Sequence, residues 1–167
     1  EILGDRKAKT QYLEANWLES TVFFNRGDHF EPRMLPLEAQ FAPAFAVVAA
    51  DYDGDGREDV FLSQNFFGVE PETSRYDAGR GLWLQGDGQG GLRAVPGRES
   101  GVMVYGEQRG AAAADFDGDG RVDLVVAQNG GPVRLYRNEG AKVGLRVQLV
   151  GLPGNGNGIG AVVRLGT

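Results

Sequence analysis

Ala50-Asp51-Tyr52-Asp53-Gly54-Asp55-Gly56-Arg57-Glu58-Asp59 and Ala114-Asp115-Phe116-Asp117-Gly118-Asp119-Gly120-Arg121-Val122-Asp123 carry one pattern, 64 residues apart. The likeness continues on both sides. Val60-Phe61-Leu62-Ser63-Gln64-Asn65 lines up with Leu124-Val125-Val126-Ala127-Gln128-Asn129, and Ala46 to Ala49 lines up with Gly110 to Ala113. Short apolar runs bounded by Asp/Gly punctuation predict short buried strands on both flanks of each loop.

A second element recurs three times, as an aromatic-rich strand end followed by a polar, Gly-bearing turn. It is found at Val22-Phe23-Phe24-Asn25-Arg26-Gly27-Asp28, Leu82-Trp83-Leu84-Gln85-Gly86-Asp87-Gly88 and Arg134-Leu135-Tyr136-Arg137-Asn138-Glu139-Gly140. Strands joined by such turns make a meander. One repeat thus holds four strands, the content of a β-propeller blade, and the predicted fold is all-β with about two and a half four-stranded antiparallel blades. A lone blade exposes two sheet edges, so propellers close into rings. The blade count and the opening at Glu1 lead to the expectation of a fragment of a larger propeller, with possible self-association through blade edges.

Composition agrees and excludes several chemistries. The 27 glycines among 167 residues are about twice the usual ~7%, as a turn-rich β protein requires. With no cysteine, disulfides, thiol nucleophiles and Cys-based metal sites are absent. A single histidine, His29, argues against His-based metal sites and Ser-His-Asp chemistry, and is read as a surface residue. The net charge of −6 argues against nucleic acid as a partner. No run of eighteen apolar residues occurs, so no membrane insertion by a helix is expected.

The Asp-Xaa-Asp-Gly-Asp-Gly-Xaa-Xaa-Asp loops between apolar strands resemble FG-GAP or VCBS repeats, the calcium-binding blades also found in integrin α-subunit propellers. That resemblance covers roughly residues 22–140, and residues 1–140 are read as the blade region. Gly144-Leu145-Arg146-Val147-Gln148-Leu149-Val150-Gly151 followed by Asn157-Gly158-Ile159-Gly160-Ala161-Val162-Val163-Arg164-Leu165 is similar to the start of an ASPIC/UnbV domain. Residues 141–167 are therefore expected to begin such a β segment, with the glycine-rich 151–160 as a loop between strands. The resemblance implies a non-enzymatic interaction module of a secreted or cell-surface protein, used in cell adhesion or similar binding of protein or glycan. Two other classes stay open: part of a propeller enzyme acting on polysaccharide, and a purely architectural spacer.

The spacing itself carries metal chemistry. Carboxylates at loop positions 1, 3 and 5, glycines at 4 and 6, a carbonyl at 7 and a carboxylate at 9 bring oxygens onto one hard cation. These are Asp51, Asp53, Asp55, the Arg57 carbonyl and Asp59, and Asp115, Asp117, Asp119, the Arg121 carbonyl and Asp123. Ca2+ at two sites is the expected cofactor, because six to eight flexible oxygen ligands suit it. Four carboxylates within nine residues repel one another unless a cation neutralises them. An EF-hand is excluded, since position 12 holds Leu62 and Val126 where a bidentate Glu is required. With an affinity near 0.1 mM and millimolar calcium, each ion adds roughly 1.5 kcal/mol. Cytosolic calcium leaves such sites empty, so an extracellular, cell-surface or periplasmic location is expected.

The stretch from Phe66 to Arg80 has no counterpart in the second repeat. Its Phe66, Phe67, Arg75, Tyr76, Asp77 and Arg80 can stack on a sugar ring and bond its hydroxyls, or anchor a protein; alternatively its aromatics pack on the neighbouring blade. Glu70, Glu72 and Asp77 can also be imagined as a carboxylate pair for glycoside hydrolysis, though nothing in the spacing places them. Arg26-Gly27-Asp28 is the tripeptide integrins recognise, but it occupies the recurrent turn and is read first as turn residues. Tyr12-Leu13-Glu14-Ala15-Asn16-Trp17-Leu18 is expected to form a short amphipathic helix with Leu13 and Trp17 on one face.

Overall fold

Among the described residues the alternating apolar stretches form three antiparallel sheets, with almost no helix. The structure is a computed structural model that describes residues 13–145 and 147–164. Strands β1 (Thr21–Asn25) and β2 (Phe30–Met34) make a hairpin around the Arg26-Gly27-Asp28 turn. A four-stranded meander follows: β3 (Ala44–Ala50), β4 (Asp59–Gln64), β5 (Leu82–Gly86) and β6 (Leu92–Val95). After one helical turn, α1 (Gly97–Ser100), come β7 (Glu107–Ala114), β8 (Asp123–Asn129) and β9 (Gly131–Tyr136). Among the described residues no closed barrel forms, and the arrangement fits a propeller fragment.

The repeat seen in the sequence is a repeat of register. Ala50 pairs with Asp59 and Ala114 with Asp123, so each carboxylate loop joins the first two strands of a meander. Both first strands carry an irregularity at the same place, between Ala44 and Ala46 and between Gln108 and Gly110. The third strands correspond as well. Val60 pairs with Leu84, and Leu124 pairs with Tyr136, which makes Leu84 and Tyr136, Gln85 and Arg137, and Gly86 and Asn138 equivalent.

Because strand side chains alternate, β4 buries both faces. Phe61 points into a cluster with Val102, Val104, Leu124 and Val126, which joins the two repeats. Leu62 points the other way, into a cluster with Ala39, Leu82 and Leu84. The β1–β2 hairpin docks beside that second cluster, where the Phe24 ring lies over Gly90 and Arg33 donates to the Gly90 carbonyl.

Four expectations are corrected. The second repeat has three strands rather than four, since the chain after Tyr136 turns across the carboxylate loops instead of pairing beside β9. Residues 137–145 and 147–164 carry no strand, so the β segment expected from 141 onward is not formed among the described residues; Arg146 and residues 165–167 lie outside them. Residues 13–18 are not helical, and Tyr12 lies outside the described residues. Leu13 is 97% exposed and Trp17 packs edge-on against Phe23, so no apolar surface among the described residues holds Leu13 and Trp17 together as one helix face, and a helix this short is not stable alone. Finally, β3 is largely exposed rather than buried, with Val47 at 68%, because among the described residues no first strand of a preceding repeat lies against it. Its counterpart Ala111 packs in the cluster between the repeats.

Phe61→Ala is expected to cost about 3–5 kcal/mol in urea denaturation, since the ring is fully buried where the two repeats meet. The half-exposed Phe23 should cost far less when changed to Ala.

Candidate metal centre

Each loop is shaped by its own carboxylates. The Asp51 side chain accepts N–H bonds from Gly54, Asp55 and Gly56 at 2.8, 3.0 and 2.9 Å, which curls the backbone around it. That curl needs left-handed backbone at Gly54 and Gly56, with φ of 72° and 86°. Asp115 accepts likewise from Gly118 and Gly120 at 2.7 and 3.1 Å. Asp59, fully buried at the start of β4, accepts from the Tyr52 N–H at 3.1 Å and the Gly86 N–H at 2.8 Å. Asp123 does the same with Phe116 at 2.9 Å and Asn138 at 2.8 Å. Position 9 therefore ties the loop to the end of the third strand. Burial pushes the Asp59 carboxyl above its ordinary value, against the pull of those two N–H groups.

Oxygens of Asp51, Asp53 and Asp59 lie within 4.8 Å of one another, as do those of Asp115, Asp117 and Asp123. Among the described residues these are the groups of three or more carboxylates that close on one point. Hard oxygens at that separation fit a calcium ion with ligands at about 2.3–2.6 Å. The Asp55 and Asp119 carboxylates, expected at position 5, lie outside these groups. They meet the guanidinium groups of Arg57 at 3.1 Å and Arg121 at 3.0 Å, so the two arginines named for their carbonyls present charged side chains here. Burial works against ionisation of Asp119, but the Arg121 N–H and guanidinium and Arg137 outweigh it and hold its pKa below the ordinary value.

Several residues at the site were read from the sequence only as turn formers. Gln85 donates from Nε2 to the Asp53 carboxylate at 2.5 Å, and its counterpart Arg137 pairs through Nε with Asp117 at 2.5 Å. Asn138 donates to the Tyr52 carbonyl at 2.7 Å and the Val122 carbonyl at 3.0 Å, one from each loop. The chain beyond it continues as a strap. The Lys142 N–H reaches the Asp53 carbonyl, the Gly144 N–H reaches the Gly120 carbonyl, and Arg121 Nε donates to the Ala141 carbonyl. The strap lies so close to the first loop that a Cβ on Gly54 would come 2.5 Å from the Lys142 carbonyl oxygen. The sequence signal was faint, because the insertion in the first repeat throws these third-strand positions off the interval that aligns the loops.

Beside the strap a cleft of about 480 Å3 opens between the repeats, lined by Tyr52, Asp53, Trp83, Glu99, Tyr136 and Arg137 among others. The buried Tyr52 hydroxyl has no hydrogen-bond partner among the described residues, and its pKa is pushed up to about 12, chiefly by burial and further by Asp59.

The insertion sits at the opposite end of β4 and forms its own small fold. Phe66 and Tyr76 bridge each other through N–H bonds of 2.9 and 3.0 Å. Phe66 packs on Phe45 and under the Arg109 guanidinium of the second repeat, so this ring serves the contact between repeats. Arg75 lies over Phe67 and Arg80 over Tyr105, while Tyr76 is half exposed. Glu107 anchors the group: it accepts from the Phe67 N–H at 2.8 Å, Arg109 at 2.6 Å and Asn129 at 2.5 Å. The Phe67 N–H above all, then Asn129, holds the Glu107 carboxyl below its ordinary pKa. Glu70, Glu72 and Asp77 are exposed and form no cluster. In the hairpin turn Arg26 pairs with Glu31 at 2.8 Å, Gly27 has φ of 95°, the Arg26 N–H bonds the His29 carbonyl at 2.9 Å, and the exposed His29 ring bonds the neighbouring Asp28 carboxylate.

Residues 115–164 match the FG-GAP-like repeat family. The match begins at the first carboxylate of the second loop and covers less than half of the chain. It takes in the strap and the segment beyond it, and nothing indicates an ASPIC/UnbV domain or a VCBS repeat. No curated protein and no solved structure matches the chain.

Two outcomes are expected from this geometry. Asn138→Ala strands a carbonyl in each loop and should lower stability by roughly 1–3 kcal/mol in chemical denaturation. For Glu107 the folded pKa is depressed, so its contribution is full above the unfolded value near 4.5 and is lost as pH falls through the folded value. Glu107→Gln should accordingly flatten the acid limb of a stability-against-pH profile below about pH 4.5 and leave its neutral limb parallel to the parent's.

Proposed function

We propose that the chain is a calcium-stabilised interaction module of a secreted, cell-surface or periplasmic protein, binding protein or glycan through its blade loops. One observation carries this reading: the carboxylates of positions 1, 3 and 9 converge in both loops, at equivalent places in two repeats. A cation at that point offsets the repulsion among carboxylates and fastens the first, second and third strands of each meander together. Asp55, Asp119 and the carbonyls of Arg57 and Arg121 complete the coordination when the ion binds, with the Asp55 and Asp119 side chains turning from their arginines. The match to an FG-GAP-like repeat supports an interaction role. Ligand contact is assigned to Phe67, Arg75, Tyr76, Asp77 and Arg80 around the exposed face of the insertion, with the partly buried Phe66 held behind them on Phe45 and Arg109.

A thermal melt of the chain across a calcium titration tests this, with magnesium and a chelator as controls. Calcium should raise Tm by several degrees and magnesium should not, because each ion contributes roughly 1.5 kcal/mol and a chain of this size gains about 2–4 °C per kcal/mol. Asp53→Asn and Asp117→Asn should each remove part of the rise. An unchanged Tm in millimolar calcium overturns the reading.

A further inference from the structure

The two loops share every carboxylate and glycine of the pattern, and each has a position-5 aspartate paired with a position-7 arginine: Asp55 with Arg57, Asp119 with Arg121. They differ at the residue that the third strand sends to position 3. Strand register makes Gln85 and Arg137 equivalent. Gln85 meets Asp53 with a neutral amide N–H at 2.5 Å, and Arg93 bonds the far end of that amide at 2.5 Å, one side chain removed from the carboxylate. Arg137 meets Asp117 with a guanidinium at 2.5 Å and reaches Asp119 at 3.3 Å. A second difference has the same sign, since position 8 holds Glu58 in the first loop and Val122 in the second. The first loop thus has one more carboxylate and no guanidinium from the third strand.

We propose that Arg137 is a built-in cation that competes with a divalent ion for the second loop, so that the two loops bind calcium unequally and the first fills before the second. The inference rests on the calcium reading proposed above. Asp117 is one of the three carboxylates that converge in the second loop, and an ion arriving there meets a carboxylate already neutralised. It must displace the guanidinium or bind beside it, and either course weakens binding by Coulomb repulsion. At position 3 of the first loop the ion replaces an amide hydrogen bond, and the position-5 arginine pair to be displaced is common to both loops. Arg137 is half exposed, so water and salt screen the effect, and the difference should shrink as ionic strength rises. The same loop sequence therefore serves one site that is filled at lower calcium and a second that responds only at higher calcium, where Arg137 swings free at the edge of the cleft between the repeats.

Calcium titration calorimetry on the full chain at low salt tests this, using calcium chloride alone as the probe. Two classes of site should differ on the order of tenfold in affinity. Asp53→Asn should remove the tighter class and Asp117→Asn the weaker. Arg137→Gln should tighten the weaker class toward the other, Arg137→Lys should leave it weak because the charge is kept, and Gln85→Arg should weaken the tighter class. Equal affinities at the two loops in the parent chain overturn the inference and leave the calcium reading standing. So does an Arg137→Gln variant whose weaker class is unchanged, or removal of the weaker class by Asp53→Asn. Absence of calcium binding in every variant, with no change in Tm, removes the calcium reading and the inference with it.

Discussion

Repulsion among carboxylates is the constraint around which the loops are arranged. Four aspartates within nine residues, twice in one chain, must be held near one another by positive charge or by hydrogen-bond donors. The structure supplies donors first, as Asp51 and Asp115 gather backbone N–H groups while Asp59 and Asp123 take one from the loop and one from the end of the third strand or just beyond it. Arginines neutralise position 5. What is left is a small basin of oxygens from positions 1, 3 and 9 that suits a divalent ion.

That local solution has a consequence at longer range. Because Asp59 and Asp123 bind the third strand's end, loop geometry and meander geometry are one unit, and a change in the loop is felt in the packing of β5 or β9. Asn138 then links the two units by reaching a carbonyl in each loop, and residues 141–144 run on across both. The apolar cluster around Phe61 and Val126 joins the same repeats from inside. The contact between repeats is thus built from an apolar centre, a polar strap at one end and the Glu107–Arg109–Phe66 group at the other. Among the described residues the outer face of the second repeat lacks such cover. Leu135, the counterpart of Trp83, is half exposed there.

Much of this was legible in the residues. The paired Asp/Gly loops, the strands flanking them and the recurrent aromatic turn gave the meander, because loop spacing and strand alternation are local properties that a repeat makes visible twice. The fourth strand of the second repeat and the helix at residues 12–18 were misread for a common reason. Pattern alone cannot tell whether a neighbouring surface exists to hold a strand or helix in place. Leu13 has none among the described residues, and the chain after Tyr136 makes its hydrogen bonds across the loops rather than along β9.

The sequence by itself determined the chemistry of the loops. Alternating carboxylates and positive-φ glycines within nine residues leave the backbone one way to curl, and that information is short-range. Tertiary structure decided which of those carboxylates converge and what opposes each one. Asp55 and Asp119 turn toward arginines, Gln85 faces Asp53, and Arg137 faces Asp117. Those partners come from another strand, and the insertion places them at a different interval from the loops in each repeat. Only the folding of the third strand against the second brings them to position 3, and the charge they carry there is what makes two loops of one pattern unequal.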